Sequence, residues 1–362
     1  MKHPFTEYLL QWAKENPRNL PWKDTKDPYK IWLSEIILQQ TRVAQGKPYY
    51  EKFAATYPKV EDLANAPEDE VMRMWEGLGY YSRARNMHAA AKYIAYELKG
   101  KFPDSHKEIL QLKGVGAYTA AAIASFAFDL PHPVVDGNVY RVLSRRFGIE
   151  TPIDSTEGKK EFALLAEELL DKENPSVYNQ AIMDFGSLQC TPNNPNCGNC
   201  PLQENCVAFH KGLISKLPIK GNKLKKTTRY FHYLMLQLPN EKFLLQKRVG
   251  KGIWRNLYQF PLIEGNQLLD LEELRQTEEW NQLFINQKTT VKKASKTYKH
   301  LLTHQTIFLQ FFELQLKESP PTLSDCIEVD AADFDNYAFP RVMNRFLEDR
   351  ENRELGQLDM FS

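Results

Sequence analysis

Four of the five cysteines in this chain, Cys190, Cys197, Cys200 and Cys206, fall within seventeen residues in a C-x6-C-x2-C-x5-C spacing. Thiolates this close can surround one soft metal centre without a ligand from a distant segment, so the cluster argues for metal binding and against a disulfide framework. Zinc sites more often use two paired knuckles. Only Cys197 and Cys200 have the two-residue spacing here, which places an iron–sulfur cluster ahead of zinc. The expected job of such a cluster is structural, holding a loop in one shape. Cys326 stands apart and reads as an ordinary buried thiol.

A chain of 362 residues is long enough for two domains with proper cores. Hydrophobic residues at 42% and charged residues at 26% are the balance of a soluble globular protein and exclude a disordered or fibrous one. Charges interrupt the apolar residues between Met1 and Glu15, which argues against a secretory signal, and no stretch reaches membrane-spanning length. The expected location is cytoplasmic, at the nucleoid if the chain is bacterial. The net charge of +1 carries no hint of a polyanionic partner, but its distribution does. No Asp or Glu occurs between Val207 and Asn240, while Lys211, Lys216, Lys220, Lys223, Lys225, Lys226 and Arg229 all do. That stripe fits a solvated linker or a phosphate-facing one.

The periodicity is helical from Phe5 to Leu188, with about ten helices. It turns to alternation in Tyr230–Leu236 and Thr306–Phe312, with one helix near Leu268–Phe284 and another near Arg341–Arg353, an α+β pattern. The expected organisation is an all-α domain over 1–209, a basic linker over 210–227, an α+β domain over 228–348 and a charged helix end with a free tail over 349–362.

Within the first half, Leu112-Lys113-Gly114-Val115-Gly116-Ala117-Tyr118 precedes an alanine-rich helix and reads as a helix–hairpin–helix. Two glycines flanking one apolar residue allow a tight turn whose N–H groups, with the following helix start, face a phosphate. Taken alone, the pair fits an ordinary turn between helices at least as well. Asp136, in Val135-Asp136-Gly137-Asn138, stands at a probable helix start, where a simple N-cap role accounts for it; a cap carboxylate at a rim can also stay ionised and face a site. Glu35 is one acidic residue inside the apolar run Ile31–Leu38. Burial would keep its carboxyl protonated near neutral pH, as a general acid requires, unless Arg42 or Arg83 pairs with it.

Jointly, the hairpin, the Val135–Asn138 turn and the cysteine spacing resemble the endonuclease III superfamily of DNA glycosylases. Leu20-Pro21-Trp22, Ser34–Thr41 and Gly77-Leu78-Gly79-Tyr80-Tyr81-Ser82-Arg83 look like its MutY branch, adenine glycosylases acting opposite 8-oxoguanine. The resemblance is dense over residues 5–210 and looser over 228–348. It implies a 4Fe-4S cluster on the four cysteines. It also implies that Glu35 is the acid that protonates the adenine ring and that Asp136 stabilises the oxocarbenium ion, with Tyr118 and Asn138 beside them. Gln180 looks like a residue of the adenine pocket, Gln40 and Tyr80 match positions that fill or wedge the vacated stack, and Trp22, Lys23, Thr41 and the hairpin glycines Gly114 and Gly116 are further candidates to meet the base or the DNA, although Lys23 and Lys113 depart from the commoner family residues. Bifunctional relatives carry a lysine where this chain has Tyr118, so a monofunctional enzyme is implied.

The second half resembles the Nudix-like domain of the same branch, so the implied fold is an all-α helix–hairpin–helix glycosylase domain with an iron–sulfur loop, joined to an α+β Nudix-like domain. Its Gly252–Pro261 segment fits, but the glutamate-rich box that would hold magnesium is missing, so no pyrophosphate hydrolysis is expected. Leu302-Thr303-His304 stands in place of the branch's usual Phe-Ser-His lesion-reading turn, which makes Thr303 and His304 candidate contacts to 8-oxoguanine. Gln357-Leu358-Asp359-Met360-Phe361 resembles the peptide with which bacterial proteins dock on the sliding clamp, against the plainer reading of a frayed tail. The implied partner is double-stranded DNA with adenine opposite 8-oxoguanine or guanine, and the implied state a monomer. A bifunctional endonuclease III-like lyase and a non-catalytic DNA-binding iron–sulfur protein are the rival readings.

Overall fold

The computed structural model of the chain describes residues 2–221, 226–285, 287 and 289–358, with side chains as far as Asn352. Two compact units emerge: Met1–Asn65 with Asn86–Lys223, and Ala66–Arg85 with Leu224–Ser362. The clamp-like peptide falls at the edge of this range. Asp359, Met360 and Phe361 lie outside the described residues, as do the side chains of Gln357 and Leu358.

The first unit is helical. Its starts are written in the sequence: Asp27 caps the helix Pro28–Leu38 by accepting from the Tyr29 N–H at 2.9 Å, and Ser155 caps Thr156–Leu169 through the Gly158 N–H. One core layer joins Phe5, Leu9 and Trp12 of the helix Pro4–Glu15 to Val142, Phe162 and Phe185 of three later helices. Pro28–Leu38 is buried all round, with Ile31, Trp32, Leu33, Ile36 and Ile37 nearly inaccessible, because it packs between neighbours and not on a surface. It lies against Ala117–Phe128, whose alanines at 120, 121, 122 and 124 let the two backbones approach. Between Pro4 and Leu188 the described residues form eleven α-helices and one π-helical turn at Tyr93–Glu97, close to the expected number.

The second unit is built on a sheet of eight described strands: β1 Thr227–Gln237, β2 Phe243–Lys247, β3 Tyr258–Gln259, β4 Leu262–Gly265, β5 Thr290–Ala294, β6 Tyr298–Leu301, β7 Gln305–Gln315 and β8 Ile327–Val329. β1 and β7 run parallel in unbroken register from Thr227 opposite Gln305 to Gln237 opposite Gln315. The alternation expected for β1 is not what the strand uses. Phe231 to Leu236 are all buried, because both faces are covered. His232 is satisfied inside by the Ile263 carbonyl and the Leu269 N–H. The single helix expected near Leu268–Phe284 is two short ones, Leu271–Arg275 and Glu278–Leu283, since the Thr277 hydroxyl accepts from the Trp280 N–H and starts a new helix.

Ala66–Arg85 joins this unit through side chains. Asp69 takes the Lys247 ammonium at 2.5 Å and the Tyr258 hydroxyl at 3.2 Å, and the Tyr81 hydroxyl donates to the Phe339 carbonyl at 3.3 Å. Cys326, expected to be buried, is half-buried at the edge of the sheet core, because the turn carrying it lies at the surface. No described helix is long and apolar enough to cross a membrane.

Candidate active site

The helical unit holds a cavity of about 1050 Å³ lined by Glu35, Tyr118, Asp136 and Asn138, with Trp22, Lys23, Gln40, Thr41, Gly114, Gly116 and Gln180 around them. Glu35 enters it from the buried helix Pro28–Leu38 and is only 7% exposed. The Tyr118 hydroxyl hydrogen-bonds its carboxyl. Burial pushes the Glu35 pKa up to about 7, Asp136 adds to the rise, and the Tyr118 bond opposes it.

Asp136 caps the helix Gly137–Phe147. Oδ1 accepts from the Asn138 and Val139 N–H groups, both at 2.8 Å, and Oδ2 accepts from the Asn138 side-chain amide at 2.7 Å. The cap and the cavity-facing role therefore coincide in one residue. Burial raises this carboxyl above the ordinary aspartate range, while the three hydrogen bonds and the nearby Arg141 pull it back toward the anion.

Arg141, one helical turn beyond Asn138, ties this group to the cysteine loop. Its guanidinium donates to Asn138 Oδ1 at 2.8 Å, to the Gly186 carbonyl at 2.5 Å and to the Cys190 carbonyl at 2.7 Å. The three- and four-residue spacing from Asn138 and Gly137 on one helix was the available signal for it. Arg18 and Asp184 also escaped the sequence reading. Asp184 accepts from Lys23 and from Arg18 Nη1, and Arg18 Nη1 donates to the Ser187 hydroxyl at 2.9 Å, so Lys23 is engaged in the cavity wall and not a free cation. Trp22 is braced edge-on against Tyr50 at 5.2 Å.

The hairpin carries both glycines to the surface. Gly114 has φ +83°, where a side chain is strained, and a Cβ there would lie 2.7 Å from Asn86 Cβ. Gly116 caps the helix Ala117–Phe128 at φ −96° with open space beside it. A helix start of this kind at the surface suits an anion.

The four clustered cysteines are half-buried and unbridged, and close enough for their charges to act on one another. Among the described residues no three His, Cys, Asp or Glu side chains form a single-ion site. Arg145, buried beneath the loop, donates to Cys190 Sγ at 3.6 Å and to the Thr191 and Pro192 carbonyls at 2.7 and 3.1 Å. Four thiols in one loop, with the buried Arg145 donating to Cys190 Sγ, form a soft donor set that fits an iron–sulfur cluster.

In the sheet unit, Leu302-Thr303-His304 forms the bend between β6 and β7, with Thr303 and His304 exposed. The hydroxyls of Tyr80 and Thr303 hydrogen-bond each other. Tyr80, 48% exposed at φ +45°, follows Gly77 and Gly79, both also at positive φ, and the Arg83 guanidinium braces this turn by donating to the Leu78 and Gly79 carbonyls. Thus the sequence candidates divide between a cavity in one unit and an exposed turn in the other.

Residues 33–170 match the HhH-GPD superfamily of base excision DNA repair proteins, and residues 232–349 match the NUDIX domain. With the cavity and hairpin already described, this defines a helix–hairpin–helix DNA glycosylase carrying a Nudix-like domain. Adenine DNA glycosylases of Buchnera aphidicola subsp. Schizaphis graminum and subsp. Baizongia pistaciae are 34% and 37% identical to the chain, covering 84% of it in each case and 86% and 84% of themselves. The chain belongs to the adenine DNA glycosylase family, enzymes of base excision repair. Among solved structures, a thermostable thymine-DNA glycosylase is 32% identical with a TM-score of 0.54, covering 57% of this chain and 95% of its own.

Proposed function

We propose that this adenine glycosylase hydrolyses the N-glycosidic bond of adenine placed opposite 8-oxoguanine or guanine in double-stranded DNA, without cutting the strand itself. The observation that carries the reading is Glu35: a carboxyl with a pKa of about 7, in one cavity with Asp136 and bonded to Tyr118. Half of such a group is protonated at neutral pH, as a general acid needs. Glu35 gives its proton to a ring nitrogen of the flipped adenine, and the bond from the base to C1′ breaks with its electron pair leaving on the base. Asp136, held toward the anion by three hydrogen bonds, stabilises the cation left on the sugar. Water then adds to C1′, and its proton passes to the Glu35 carboxylate.

Tyr118 orients Glu35, Asn138 orients Asp136, and Gln180, Lys23 and Trp22 shape the base pocket. A phenol forms no imine with the sugar, so Tyr118 leaves the product as an intact abasic strand. Gly114 and Gly116 hold a DNA phosphate, Gln40 fills the vacated stack, Thr41 contacts the DNA, and Tyr80 serves as a wedge. Thr303 and His304 read the base opposite, with the domain over 228–348 serving lesion recognition and that over 1–209 catalysis. Cys190, Cys197, Cys200 and Cys206 would hold a 4Fe-4S cluster, which when bound supplies a rigid loop and not a reacting centre. The enzyme works as a monomer at the bacterial nucleoid, and the tail Gln357–Phe361 docks on the sliding clamp.

Single-turnover cleavage of a duplex with adenine opposite 8-oxoguanine, with and without alkali, tests the reading for the parent and for Glu35→Gln. Breaks that need alkali and vanish in the variant support it. Breaks without alkali would rule out the monofunctional reading, and a fully active variant would remove Glu35 from the acid's role.

A further inference from the structure

Lys23 brings an amine to the cavity that holds Glu35 and Asp136, and the reaction proposed above leaves an aldehyde there. Hydrolysis at C1′ frees a sugar whose ring opens to an aldehyde at that carbon. An uncharged amine within reach adds to C1′ and water leaves, forming an imine. A base then takes the C2′ proton and the C3′–O bond breaks with its electron pair leaving on the phosphate, which cuts the strand. Among the described residues that line the cavity, Lys23 alone carries a primary amine. The phenol of Tyr118 forms no imine, but an intact product strand also requires that Lys23 be kept from C1′.

The restraint is Asp184, whose Oδ2 binds the Lys23 ammonium. The other oxygen, Oδ1, accepts from Arg18 Nη1 at 3.3 Å, and the same Nη1 donates to the Ser187 hydroxyl at 2.9 Å. Asp184 and Ser187 lie one turn apart on the helix Pro175–Leu188, and the Ser187 hydroxyl donates in turn to the Asp184 carbonyl at 3.1 Å. The carboxylate is thus fixed from two sides, and Asp184 is only 8% exposed. Lys23 is tethered at its other end as well, since its N–H donates to the Leu20 carbonyl at 2.9 Å. A charge-assisted bond to a fixed carboxylate holds the nitrogen against the wall, and as an ammonium it has no lone pair with which to attack.

We propose that Asp184 is a positioning residue that keeps this glycosylase from cutting its own product, by holding the Lys23 amine away from the C1′ aldehyde. The inference rests on the functional reading above and adds to it a second determinant of the intact abasic strand. Lys23 is a latent imine-forming site, released when the carboxylate is lost.

The test supplies the product directly. A duplex with a preformed abasic site opposite 8-oxoguanine is incubated with the full-length protein and sodium borohydride, which reduces an imine to a stable protein–DNA adduct, and the adduct is mapped by peptide mass spectrometry. Asp184→Asn is expected to raise trapping, and strand cleavage without alkali, about 10- to 100-fold, the scale of one lost charge-assisted hydrogen bond, with the adduct on Lys23. Asp184→Glu should return most of the restraint, and Asp184→Asn combined with Lys23→Gln should fall back to the parent's level. Trapping no higher than the parent's in an Asp184→Asn protein with a normal thermal melt, or a rise that survives in the double variant, would overturn the proposal. A second measurement needs no variant. In the parent, Lys23 is expected to react with an amine-acylating reagent about tenfold more slowly than the exposed Lys14, and equal labelling would overturn the restraint as well. A parent that leaves adenine in place opposite 8-oxoguanine would instead sink the glycosylase reading, and the abasic duplex would still decide the role of Asp184.

Discussion

The guanidinium of Arg141 donates to Asn138 Oδ1 at 2.8 Å, while the Asn138 amide donates to Asp136 Oδ2 at 2.7 Å. A planar fork thus fixes which way the amide points, and the amide fixes the carboxylate. Arg141→Gln leaves the cap's backbone bonds in place but frees Asn138 to turn. Hydrogen bonds to charged groups are worth about 1.5–3 kcal/mol, so the single-turnover rate is expected to fall about 10- to 100-fold. An unaltered rate would mean that Asn138 needs no brace. The same variant loses the donor to the Cys190 carbonyl, so its visible absorbance separates a damaged cysteine loop from a misplaced Asp136.

The proposed acid sets the pH profile. Only protonated Glu35 can donate, and its pKa lies at about 7 because the helix around it is apolar. The single-turnover rate is therefore expected to fall tenfold per unit above that pH. Glu35→Gln should abolish both the rate and the descending limb. A profile flat through pH 9 in the parent would exclude Glu35 as the titrating acid.

The same shift has a cost in stability. Glu35 titrates at about 7 when folded and near the ordinary glutamate value of 4.5 when unfolded, so its unfavourable burial is absent below pH 4.5 and develops fully above 7. A shift of that size amounts to about 3 kcal/mol. Glu35→Gln should consequently be more stable than the parent at pH 8 by up to about 3 kcal/mol, with the gain disappearing toward pH 4.5. Denaturant unfolding at the two pH values measures it, and equal gains at both would contradict a buried, protonated carboxyl.

Gly114 and Gly116 should separate strain from contact. Gly114→Ala forces a side chain into φ +83° and against Asn86, costing about 1–2 kcal/mol of stability. Gly116→Ala meets no protein atom and has an ordinary φ, so stability should change by less than about 0.5 kcal/mol. If its N–H approaches a phosphate, DNA affinity nevertheless falls in Gly116→Ala. Equal affinity of Gly116→Ala and parent would remove the hairpin from the DNA surface.

Tyr80 and Thr303 share a hydrogen bond at an exposed turn. Thr303→Val keeps the shape and removes the hydroxyl. The ratio of affinities for 8-oxoguanine over guanine duplexes should then drop about tenfold, the scale of one polar contact, with the saturated excision rate little changed. A retained ratio would show that the turn does not read the lesion.

Much of this was legible along the chain because it is local. Asp27, Ser155 and Asp136 announce helix starts by chemistry that involves only the next three residues, and the two hairpin glycines mark a turn within five. The strands β1 and β7 stood out by alternation, which β7 keeps in burying Ile307, Leu309 and Phe311 more deeply than Phe308 and Gln310; the burial of β1 on both faces was not legible, because it depends on what covers the sheet. The partner of Glu35 was not legible either: Arg42 and Arg83 are plausible in sequence, while Tyr118 is 83 residues away.

The sequence by itself determined the chemistry available: a lone carboxyl in an apolar helix, a capping aspartate, a tyrosine just after the hairpin glycines, and four thiols within seventeen residues. Only the tertiary structure decided how those groups act. Desolvation, which sets the pKa of Glu35, is a property of everything packed around it. The route from Cys190 through Arg141 to Asp136, the Asp184 bridge to Lys23 and Arg18, and the pairing of Arg85 with the backbone of Arg255 each join segments far apart in the chain. Such contacts follow from how helices and strands close on one another, and residue spacing carries no record of them.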